Sequence, residues 1–96
     1  MRVRLKLYGV FRSAARSSNV QIELPGDTAT VRIAIQMLAA DPEYRELAKL
    51  LLTDQTDPRP NALIMVSGRE INSRNGLETP LLESDELSLL PVVHGG

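Results

Sequence analysis

"LSLLPVVHGG", residues 87–96, is the stretch on which the fold turns. Leu87 and Leu89 alternate with Ser88 and Leu90, a period of two that marks a strand with one face toward a core. Pro91 is where the segment leaves the sheet. Residues 92–96 then read as a mobile tail on a single domain spanning residues 1–96. A terminal strand of this kind needs neighbours to pair with, and the rest of the chain supplies them.

At the other end, "RVRLKLY" places Val3, Leu5 and Leu7 opposite Arg2, Arg4, Lys6 and Tyr8. "FRSAARSSN" turns the chain. "VQIEL" repeats the pattern with Val20, Ile22 and Leu24, and Pro25 and Gly26 end it. The opening unit is thus a β-hairpin with a loop longer than a tight turn. Thr30 is placed to cap a helix through "VRIAIQMLAA", because its hydroxyl can accept an orphan first-turn amide. Val31, Ala34, Ile35 and Leu38 form its apolar stripe, and Ile33 and Met37 widen it, so more than half of that helix should be covered. Asp41 before Pro42 reads as a second cap, opening a short helix that buries Tyr44, Leu47 and Leu51. "TDQTDPRPN" is a polar surface loop. "ALIMVS" is a third strand with Ile64 and Val66 alternating with Met65 and Ser67, "GRE" turns, and residues 71–86 show no clear period. First and last strands of such a chain pair in parallel at the sheet centre, with the main helix over one face. The expectation is α+β: a β-grasp with a mixed four- to five-stranded sheet and a short second helix.

Composition removes most function classes. The 96 residues suffice for one unstapled core, and with no cysteine there is no disulfide, thiolate metal site or cysteine nucleophile. A single histidine leaves no histidine-based metal centre, so no metal site is expected. Eleven basic residues against twelve acidic ones make no footprint for nucleic acid. No stretch approaches the roughly 20 apolar residues of a membrane span, and the N-terminus does not resemble a signal peptide. The expected setting is the cytoplasm.

No internal motif carries chemistry. The glycines at 9, 26, 68 and 76 are too scattered for a phosphate loop. "SDE" at 84–86 reads as a turn, the serines of "RSSN" as solvated, and Arg12 and Arg16 as a charged surface. What remains is the end of the sequence. A carboxylate on Gly96, beside Gly95, has no side chain to block a narrow channel. The residues past Pro91 reach about 16 Å when extended. A carboxylate is inert until activated, for instance as a mixed anhydride with AMP, so the expected reactive group is Gly96 itself. Val92, Val93 and His94 would then be the tail that a partner recognises.

These features resemble the ubiquitin-like sulfur carriers over the whole chain. "LKLYGVFRSAA" and "LPGDTATV" are similar to the opening strand and helix entry of the molybdopterin synthase small subunit. "VSGREI" and "GLETPLLESDELSLLPVVHGG" resemble the family's closing strand, exit proline and diglycine. His-Gly-Gly at the end resembles the ubiquitin-related modifier and archaeal small modifiers. The resemblance implies adenylation of Gly96 by a separate ATP-dependent activating enzyme, with a thiocarboxylate to follow. The chain itself would need no cofactor, ATP and magnesium being used by that enzyme. Implied partners are the activating enzyme, then a molybdopterin synthase large subunit, a sulfurtransferase or the lysines of target proteins. It would serve molybdopterin synthesis or tRNA thiolation, or be joined to lysines. The competing reading is a β-grasp binding module in which the diglycine does nothing. Tyr8, Met65 and Leu90 share strand parity, with Arg4 and Lys6 beside them, and are expected to form the partner-binding patch. Lys6 and Lys49 are the lysines that could accept another copy.

Overall fold

The computed structural model describes residues 1–52 and 57–92. At its centre β1 (Arg2–Leu7) and β7 (Glu86–Pro91) run parallel, with Leu5 beside Leu87 and Leu7 beside Leu89. All four leucines are buried because the strand period turns them to one face. β2 (Asn19–Glu23) flanks β1 antiparallel and sets Val3 against Ile22 and Leu5 against Val20. β4 (Ala62–Val66) flanks β7 antiparallel and sets Ile64 against Leu89 and Val66 against Leu87. With β5 (Arg69–Glu70) at the edge, the order is β2-β1-β7-β4-β5. The two-residue turn between β4 and β5 is Ser67–Gly68, both at positive φ (46° and 87°), which matches the right-handed twist of a hairpin.

β3 (Ala29–Thr30) leads directly into α2 (Val31–Ala40). Thr30 caps the helix as expected, its hydroxyl accepting from the Ile33 amide at 3.3 Å. Val31, Ala34, Ile35 and Leu38 are buried on the sheet. Ile33 and Met37 are not: they are 36% and 42% exposed, so the widened stripe is a misreading. A helix over one sheet face is covered along one stripe, and the i, i+3, i+4, i+7 set already fills it.

Asp41 also caps as expected, its carboxylate accepting from the Glu43 amide at 3.0 Å. The second helix starts as a 3₁₀ turn, Pro42–Tyr44, and continues as α3 (Arg45–Leu51), with Leu47 and Leu51 buried. Tyr44 is only half-buried, at the rim of the core. That burial, with Glu43 and Asp41 nearby, pushes its phenol pKa up.

The largest departure is the first connection. It is a helix, α1 (Gly9–Ala15), rather than a loop. Among its residues only Phe11 is buried, with Ala14 and Ala15 half-covered, so the sequence shows no helical stripe. Tertiary packing of one large ring makes the helix, not local periodicity. The aperiodic stretch after β5 is likewise ordered. It holds 3₁₀ turns Ile71–Ser73 and Gly76–Glu78, then β6 (Pro80–Leu81), which pairs with β3. Ile71, Leu77 and Leu81 enter the core. Thr79 is fully buried but satisfied, donating to the Gly76 carbonyl at 2.7 Å and accepting from the Asn75 amide at 3.3 Å. In the polar loop before β4, residues 53–56 lie outside the described residues, and Pro58 is buried rather than on the surface. No helix among the described residues is long and apolar enough to cross a membrane.

Leu89 sits at the crossing of β1, β7 and β4 with no exposure. Leu89→Ala is expected to cost about 2–5 kcal/mol, measured by urea denaturation. A loss below about 1 kcal/mol, the range of surface substitutions, would mean that this strand is out of register by one residue.

Candidate functional site: the open sheet face and the strand exit

The helices cover one face of the sheet, so the alternate residues of every strand stand on the other. Register then decides which of them meet. Lys6 lies beside Ser88, which lies beside Met65, and Leu90 lies beside Leu63. The Tyr8 amide donates to the Leu89 carbonyl at 3.3 Å, continuing the parallel ladder and setting Tyr8 next to Leu90. Tyr8, Leu90 and Leu63 therefore form one row across three strands. Tyr8 is 37% exposed and Leu63 40%, with Leu90 and Met65 half-buried beside them. The Lys6 ammonium stands 5.7 Å from the Tyr8 ring centre, within reach of a cation–π attraction.

Of the residues assigned to this patch from sequence, Tyr8, Met65, Leu90, Arg4 and Lys6 all stand on the open face. Leu63 was missed, although its parity with Met65 in "ALIMVS" was the signal that identifies it. On the basic flank, Arg4 lies beside Glu86 in the parallel register. Farther along the same face Arg2 donates to Glu23 at 2.8 Å, and that hydrogen bond holds the Glu23 carboxyl below the usual carboxylate range. Both side chains are solvated, so the pair adds little to stability.

β7 delivers the chain to the rim of this face. The strand ends at Pro91, as expected, and the Val92 amide just past it donates to the Asn61 carbonyl at 3.0 Å. Asn61 in turn donates its side-chain amide to the Leu51 carbonyl at 2.9 Å, tying the exit to the end of α3. Val92 is 40% exposed and has the parity of Leu90, so it extends the apolar row. Val93, His94, Gly95 and Gly96 lie outside the described residues.

The other sequence candidates are structural or solvated. Asp85 closes a turn, accepting from the Leu82 amide at 2.8 Å and from the Ser67 hydroxyl at 2.9 Å. Ser17 donates to the Asn19 carbonyl at 2.7 Å, and Arg16 ends α1 at φ 59°. Lys49 is exposed on α3 and pairs with Glu46 at 3.4 Å. Among the described residues no cluster of three or more histidine, cysteine or acidic side chains could hold a metal ion.

Residues 5–96 match the model of the ThiS family. Over 96 residues, all of both chains, the protein is 30% identical to small archaeal modifier protein 3 of Haloferax volcanii. The crystal structure of a small archaeal modifier, SAMP1, from the same organism superposes with a TM-score of 0.81 at 25% identity, again over both whole chains. A more distant likeness, of shape alone, is to a chain in the Helicobacter pylori complex of subunits 1 and 2 of molybdopterin-converting factor. There the TM-score is 0.59 at 21% identity, covering all of both chains.

Because the row stands on the open face, Leu63→Asp and Leu90→Asp should each change stability by less than about 1 kcal/mol. Thermal melts of the two variants beside Leu89→Ala check this. Unfolding by Leu90→Asp would place that side chain in the core.

Proposed function

The chain belongs to the ThiS family, ubiquitin-like sulfur carriers and modifiers, and we propose from that premise that the carboxylate of Gly96 is its reacting group. The observation that carries this reading is that the family match runs through the diglycine to Gly96. The strand exit supports it: β7 hands the tail off beside an exposed apolar row, where an enzyme can hold the domain while drawing in the tail.

In the proposed reaction a carboxylate oxygen of Gly96 attacks the α-phosphorus of ATP, and pyrophosphate leaves. The acyl-adenylate carbonyl is then attacked by a sulfide-level nucleophile. The C–S bond forms, the C–O bond to AMP breaks, and the product is a thiocarboxylate. Alternatively a lysine amine attacks, loses its proton and closes an isopeptide bond. ATP and magnesium belong to the separate activating enzyme, which acts in the cytoplasm on this reading. The globular domain contributes recognition and delivery. Glycine at the last two positions suits this, having no Cβ to obstruct a narrow channel.

A second reading is a subunit of molybdopterin synthase. The H. pylori complex supports it by showing a protein of this shape assembled with a partner subunit. Full-length identity to a modifier puts the carrier and modifier reading first.

Intact mass after incubation with activating enzyme, ATP and a sulfur source should show an oxygen-to-sulfur exchange confined to Gly96. Deleting Gly96 should abolish ATP–pyrophosphate exchange while leaving the melting temperature unchanged. Normal exchange from a chain ending at Val93 would refute the assignment. Leu90→Asp should weaken binding to the activating enzyme at least tenfold, about 1.4 kcal/mol.

Self-conjugation, where it occurs, should use Lys49 and Lys6. Tryptic branched peptides carrying residues 75–96 in isopeptide linkage to these two lysines check it, since no Lys or Arg follows Arg74, and conjugates that survive their joint replacement by arginine would point to the N-terminal amine.

A further inference from the structure

The end of β7 and the start of α1 are built against each other. After Tyr8 donates to the Leu89 carbonyl, the next rung of a parallel ladder would come from residue 91 to the Tyr8 carbonyl. Position 91 is a proline and has no N–H to give. The Tyr8 carbonyl instead accepts from the amides of Phe11 and Arg12, at 3.1 and 3.3 Å, and α1 begins there. Between them sits Gly9, at φ +54°. A Cβ on Gly9 would stand 2.8 Å from Cγ of Pro91, closer than carbon atoms approach, with Cδ in ordinary contact at 3.5 Å. The proline ring thus lies directly on the glycine backbone. Being closed on its own main chain, that ring cannot swing aside as an open side chain does. On its far side the next residue is held by the bond from the Val92 amide to Asn61. The exit is therefore clamped from two directions, by Gly9 on α1 and by Asn61 ahead of β4.

We propose that Gly9 is a positioning residue for the C-terminal carboxylate. The bare glycine lets Pro91 seat on α1, and this seat sets the direction in which the tail leaves the domain. The inference rests on the carrier reading above for its catalytic consequence, and on geometry alone for its structural one. Gly9 touches no reacting atom. It acts through Pro91 and Val92.

The test uses the full-length chain, its ATP-dependent adenylating enzyme and ATP–pyrophosphate exchange. Alongside it, the residual dipolar coupling of the Val92 amide is read by NMR. Gly9→Asn is the main variant, because asparagine tolerates positive φ yet brings the Cβ that collides with the ring. It should stay folded and reorient the Val92 N–H. Its kcat should fall at least tenfold with KM within about twofold, since Tyr8, Leu63 and Leu90, the body of the docking row, keep their places and only Val92 at its edge turns. Pro91→Ala alone, which loosens the seat, should show a smaller loss of kcat. The double variant Gly9→Asn/Pro91→Ala should be no worse than Pro91→Ala, because the colliding atoms are gone.

Full kcat in a folded Gly9→Asn, or losses that simply multiply in the double variant, would overturn the proposal. Should Gly9→Asn fail to fold, Pro91→Ala decides: wild-type kcat and an unmoved Val92 vector would overturn it equally. If the wild-type chain supports no exchange at all, the carrier reading fails instead. The Val92 coupling in the variants then still decides whether Gly9 sets the exit.

Discussion

Everything in this domain hangs on the parallel pairing of β1 with β7. The two strands lie at opposite ends of the sequence, so no local turn can bring them together. They are joined by burial: Leu5, Leu7, Leu87 and Leu89 are each about 0–1% exposed. Fully burying a leucine contributes roughly 1.5–3 kcal/mol. The described ion pairs, by contrast, all lie on the surface, where such pairs contribute little. The core leucines, not the charges, hold first and last strands in register, and β2 and β4 pair outward from them.

The same pairing creates the functional geometry. Because one face of the sheet is filled by leucines and covered by helices, the alternate residues must stand in the open. Tyr8, Leu63 and Leu90 form their row only because β1, β7 and β4 are adjacent in this register. The ladder also determines where the last strand ends. Pro91 interrupts it, the Tyr8 carbonyl accepts the first amides of α1 instead, and the chain leaves the sheet between Gly9 and Asn61. Core, open face and exit are consequences of one strand pair and one missing amide.

What could be read along the chain was whatever repeats along the chain. The alternation of Val3, Leu5 and Leu7, of Val20 and Ile22, and of Leu87 and Leu89 identified strands and buried faces alike. Thr30 and Asp41 could be recognised as caps because the capping hydrogen bond spans only two or three residues. α1 escaped because its single buried anchor, Phe11, makes no period. Ile33 and Met37 were misplaced because a helical wheel shows the width of an apolar stripe but not how much cover lies above it. Leu63 was legible by parity with Met65, and it was overlooked.

By itself, then, the sequence determined the main strands and the two helices after Thr30 and Asp41, the inward residues of each main strand, the lack of cysteine, and the closing diglycine. Each follows from local periodicity or from composition, which need no knowledge of neighbours. Only the tertiary structure decided which open-face residues touch, that the aperiodic stretch after β5 carries core residues Ile71, Leu77 and Leu81, and that Gly9 lies under Pro91. Those facts join residues far apart in the chain. They exist only once burial has closed the sheet, because nothing in the spacing of glycine 9 and proline 91 encodes a contact between them.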